Sequence, residues 1–124
     1  MTSIKENYQA IETSAAVIGR IIETVISEAE KDSYEIPDSC KRFAALIVRD
    51  MDNLQARAIK TLDPWHIPFE ELSKARATAK ALVLVGMDGD RETFSELCYV
   101  LQDTLAALEM ALVFAANEAC RNAS

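Results

Sequence analysis

From Ile4 to Ala29 the apolar residues fall at Ile4, Tyr8, Ile11, Ala15, Ile18, Ile22, Val25 and Ala29, an unbroken alternation of steps of four and three. A strand repeats every second residue, so this rhythm belongs to a helix with one apolar seam. Val17, Ile21 and Ile26 widen the seam in its middle. A helix so patterned cannot bury its stripe alone, and the rest of the chain must supply partners of the same kind.

It supplies three. Cys40, Phe43, Ile47, Met51, Leu54, Ala58 and Leu62 form a second helical stripe, and Phe69, Leu72, Ala75, Ala79, Leu82 and Val83 a third. The fourth is Phe94, Leu97, Leu101, Leu105, Leu108, Leu112, Ala115 and Ala119, with Val100, Ala107, Met110, Val113 and Phe114 running beside it. Ser3 and Glu6 are spaced as a capping box for the first helix. Pro37 and Pro68 suit the first turns of the second and third. Asp63-Pro64 stops the second, the two glycines of Gly86-Met-Asp-Gly-Asp90 break the third, and Asp88 or Asp90 can cap the fourth. The predicted helices span about 3–31, 37–62, 68–86 and 90–121, with 32–39 as a connection. Short connections favour antiparallel neighbours, so residues 1–124 are expected to form one domain, all-α, an antiparallel up-down-up-down four-helix bundle with a short third helix.

Two features stand apart from that pattern. Gly19 interrupts the first helix at a cost of about 1 kcal/mol against Ala, which points to a close helix crossing at Ala15 and Gly19. The segment 61-TLDPWHIPFEE-71 holds the only Trp and the only His of the chain. At 1.5 Å per residue the third helix comes to roughly 28 Å against roughly 46 Å for the fourth, so the Pro64–Pro68 corner lies over the unpaired end of the fourth helix. Trp65, Ile67 and Phe69 are expected to cover Met110, Val113 and Phe114 there, with Trp65 buried as a plug. If the corner instead held a small molecule, its pocket would be made by Trp65, His66, Phe69, Met110 and Phe114.

Catalytic and metal chemistry finds little to work with. One His cannot supply two Glu-x-x-His ligand sets for a di-iron centre, and Cys40, Cys98, Cys120 and His66 sit at unrelated helical positions for a zinc site. A His66-based catalytic pair would need Asp63 or Glu70 to orient it, and no nucleophile or oxyanion hole is marked. The stretch 88-DGDRETFSELCY-99 lacks the Gly and the bidentate acid of a calcium loop. The reading is no catalytic residue, no cofactor and no metal.

Charge is divided. Residues 1–38 carry eight acids and three bases, 39–87 five and eight, and 88–124 seven and two, for a net charge of −7. Lys41, Arg42, Arg49, Arg57, Lys60, Lys74, Arg76 and Lys80 make the middle basic, but Asp50 and Asp52 break the run, and no nucleic-acid partner is expected. No basic start with an apolar core opens the chain and no apolar run reaches the roughly 18 residues of a membrane span, which predicts a cytoplasmic protein without a membrane partner. From Leu105 to Ala116 only Glu109 is charged. That surplus predicts a homodimer, or larger, joined through Ala15, Gly19, Met110, Val113 and Phe114. The expected function is that of a non-enzymatic bundle acting through protein contacts as regulator or adaptor. The alternatives are a small-molecule sensor with its pocket under Trp65, and an acidic antagonist whose carboxylates imitate phosphates to a nucleic-acid-binding protein.

Overall fold

The computed structural model describes residues 3–31 and 34–123; Asp32 and Ser33, part of the expected connection, lie outside the described residues. Four helices, α1 (Ile4–Lys31), α2 (Asp38–Thr61), α3 (Phe69–Asp88) and α4 (Arg91–Ala123), form an antiparallel bundle. Each packs on its neighbours in a ring, α1 on α2 and α4, and α3 on α2 and α4. There is no strand among the described residues.

The core is built from the four seams, except that Ile4 and Phe69, expected in the first and third, lie exposed at the helix starts. On α1, Tyr8, Ile11, Ala15, Ile18, Ile22, Val25 and Ala29 are buried, and on α4 the leucines 101, 105, 108 and 112 are buried with Phe94 and Cys98. Contrary to the expectation that no segment reaches the length of a membrane span, α4 is long and apolar enough, by length and composition alone, to cross one; its leucine stripe lies in the bundle.

The ends follow local chemistry. The Glu6 backbone N–H donates to Ser3 Oγ at 3.1 Å, the N-cap half of a capping box. Asp90 caps α4: its carboxylate accepts from the Thr93 N–H at 2.7 Å and the Thr93 hydroxyl at 3.1 Å.

The glycines depart from expectation. Gly86 does not break α3; it is buried within the last turn, where a Cβ would meet Phe94 Cε2 at 3.4 Å. The helix ends at Gly89, where a Cβ would fall 2.8 Å from the Val85 carbonyl oxygen, closer than a real Cβ comes. Gly19 is no close crossing either, because a Cβ there meets nothing within 4 Å. Ala15, by contrast, is fully buried inside the bundle.

Candidate functional site

Asp63 organises the corner. After α2 ends, one Asp63 carboxylate oxygen accepts from the Trp65 backbone N–H at 3.1 Å, capping a 3-10 turn over Pro64–His66. The other lies 2.9 Å from His66 Nδ1. His66 Nε2 faces the Asn122 side-chain nitrogen on α4 at 3.3 Å, and the Tyr8 hydroxyl on α1 donates to the His66 carbonyl at 2.8 Å. A neutral imidazole protonated on Nδ1 satisfies both neighbours, donating to Asp63 and accepting from Asn122. The His66 and Trp65 hydrogen bonds hold the Asp63 carboxyl below its usual range, and burial, with the Asp63 charge behind it, pushes the Tyr8 hydroxyl up.

This network ties α1, the corner and α4 together. The corner does lie against α4, as the length mismatch required. The Trp65 plug is not what forms, however. Trp65 is 90% exposed. Leu62 is buried and Ile67 is packed on the core, so they, with Tyr8, cover the bundle end. His66 turns inward to its polar partners, and Trp65, between two prolines on the capped turn, faces solvent. Periodicity does not show this, because a 3-10 turn of three residues has no stripe to read, and in the sequence an Asp63 that caps the turn looks the same as one that only stops the second helix.

The five residues expected around a ligand are not gathered into a pocket. Phe69 is half-exposed, Met110 64% and Phe114 67% exposed. Two grooves on the bundle surface, among the described residues, are lined by other residues. One of about 390 Å³ lies between Lys5, Tyr8, Glu12, Val113, Asn117 and Cys120. Another, of about 260 Å³, continues the α1–α4 seam past Ala16, Gly19 and Ala106. The Asp63–His66 pair has the geometry of a carboxylate orienting an imidazole, yet Nε2, the nitrogen that would serve as a base, is occupied by Asn122. Cys40 and Cys98 are buried and held as thiols, Cys98 pushed up to about 12 by burial. Among the described residues no group of three or more His, Cys, Asp or Glu side chains is placed to hold a metal ion.

Four of the eight basic residues of α2 and α3 are paired with acids of the same two helices. Arg76 pairs with Asp52 across the α2–α3 interface, Arg49 with Asp50, Lys74 with Glu70 and Lys41 with Asp38. Arg57 donates to Ser14 Oγ on α1.

What remains is the outer face of α4. Its inward stripe faces the core, while Tyr99, Val100, Met110, Val113 and Phe114, with Ala106 and Ala107 between them, lie exposed on the other side. Asp103 is the one charged residue in that strip from 99 to 114. Of the residues expected at an interface, Met110, Val113 and Phe114 share this face, while Gly19 and the fully buried Ala15 line the adjacent groove. No family model matches the chain, and no curated protein or solved structure matches it either.

Proposed function

We propose that the protein is a non-enzymatic helical-bundle module that acts through protein contacts, as a regulator or adaptor, and that it self-associates. The observation that carries this reading is the outer face of α4. An apolar strip some 15 residues long, or roughly 22 Å at 1.5 Å per residue, is interrupted by one charge and left uncovered by the bundle. Large exposed apolar patches mark interaction surfaces more often than they occur without use. With the α4 leucines filling the core, Met110 and Phe114 keep about two-thirds and Val113 nearly half of their surface in solvent.

Gel filtration coupled to light scattering tests the reading. At tens of micromolar the mass is expected to exceed 13.7 kDa, and Phe114→Glu is expected to return it to 13.7 kDa without loss of helical circular dichroism. A wild-type mass of 13.7 kDa throughout the micromolar range would remove self-association from the function.

A further inference from the structure

We infer that the partner on the outer face of α4 is a second copy of the same face, laid antiparallel about a two-fold axis that passes beside Ala106 and Ala107. The inference rests on the proposed self-association and adds its geometry. Residues seven apart on α4 line up on one flank, and each flank reads large, small, large: Val100, Ala107, Phe114 on one, and Tyr99, Ala106, Val113 on the other. A two-fold axis perpendicular to two antiparallel helices sets each flank against its own copy, reversed. Val100 then meets the partner's Phe114, and Tyr99 meets the partner's Val113. Ala107 meets the partner's Ala107 at the axis, where only a small residue lets two backbones approach closely. A pattern symmetric about its own middle is what an isologous contact requires.

Charge selects the direction. In a parallel arrangement the two Asp103 carboxylates would abut inside an apolar contact, which is destabilising. Antiparallel pairing in this register separates them by roughly 10 Å along the axis, about one Debye length at physiological salt, and sets each beside the partner's Met110. Area sets the strength. The exposed parts of these residues amount to roughly 600 Å² per copy, so two copies bury at most about 1,200 Å², the lower edge of a stable interface. A reversible dimer in the micromolar range is therefore expected.

Cysteine pairs test the register. In a Cys120→Ser background, which removes the exposed native thiol, mild oxidation is expected to link Ala107→Cys chains into a covalent dimer. Phe114→Cys chains should stay single, because the two copies of residue 114 lie about 21 Å apart along the axis. Mixing Val100→Cys with Phe114→Cys chains should give a cross-linked pair. A dimer by light scattering whose Ala107→Cys chains stay single overturns this geometry and leaves self-association standing. A monomer at hundreds of micromolar, whether free or carried with phosphatidylcholine vesicles, overturns both.

Discussion

At the residue scale the glycines separate what composition cannot. Gly19 has open space around the position of a Cβ and ordinary helical backbone, so Gly19→Ala removes the helix cost of glycine without creating a clash. It is expected to stabilise by about 0.5–1 kcal/mol, read as a higher urea midpoint at unchanged slope. Gly89→Ala places a methyl against the Val85 carbonyl and is expected to lower the midpoint, because the obstacle is backbone and cannot step aside. Equal effects of the two substitutions would contradict the geometry of both sites. Trp65 makes a second residue-scale test: its emission should resemble that of free tryptophan and be fully open to acrylamide, whereas a blue-shifted, protected indole would return it to the core. Asp90 makes a third. The Thr93 N–H and hydroxyl hold its carboxyl below the usual 3.8, so the folded state favours the charged form. The stability that follows is fully present above pH about 4 and is lost as pH falls through the depressed value. Asp90→Asn keeps a side-chain cap but does not titrate, so its stability should fall less steeply than that of wild type between pH 4 and pH 2. Identical acid limbs would detach Asp90 from the acid sensitivity.

Among the elements, α4 carries two faces with opposite expectations. Leu108 is fully buried and Met110, two residues on, is 64% exposed. Leu108→Ala leaves a cavity and should cost about 2–5 kcal/mol, while Met110→Ala in the monomer should stay within about 0.5 kcal/mol. Chemical denaturation at low micromolar concentration checks both, and a large loss for Met110→Ala there would show that its side chain packs inside the bundle. The two stripes were legible in the sequence, since the leucine heptads and the line through Val100, Ala107, Met110, Val113 and Phe114 are separate on a helical wheel; that Met110, Val113 and Phe114 lie exposed, and not beneath Trp65, Ile67 and Phe69, was not. The four helices and their order were legible for the same reason: a seam repeated over 15 or more residues leaves no other period. The corner was not. Its conformation depends on hydrogen bonds from residues 58 and 56 positions away, Tyr8 to the His66 carbonyl and Asn122 to the His66 ring, which no local pattern announces. Apolar area alone favours an interior Trp65, but Leu62, Ile67 and Tyr8 fill that space.

For the whole molecule, the distribution of charge decides which partners the bundle repels. The middle of the sequence is basic, but acids pair with it: Asp52 lies on Arg76 across the α2–α3 interface, and Glu70 on Lys74, Asp50 on Arg49 and Asp38 on Lys41 along single helices. Exposed pairs of this kind contribute little to stability, at most about 1 kcal/mol each. Their consequence lies elsewhere. A phosphate backbone approaching α2 and α3 would have to displace those carboxylates from four of the eight bases, and it would do so against a net charge of −7. Binding to duplex DNA gains its free energy from counterions released as Lys and Arg replace them at phosphates, and a base already paired with an acid in the protein releases less. Anisotropy of a labelled 20-base-pair duplex is therefore expected to stay flat to tens of micromolar protein at physiological salt. It should also stay flat at about 20 mM salt, where phosphate contacts are strengthened most. Micromolar binding that weakens steeply with salt would mean that the paired bases of α2 and α3 exchange their acids for phosphate, and the basic face would then replace the outer face of α4 as the working surface. Asp52→Asn together with Glu70→Gln frees Arg76 and Lys74 and gives the calibrating case: if pairing and net charge are what prevent binding, this variant should be the first to show any at low salt.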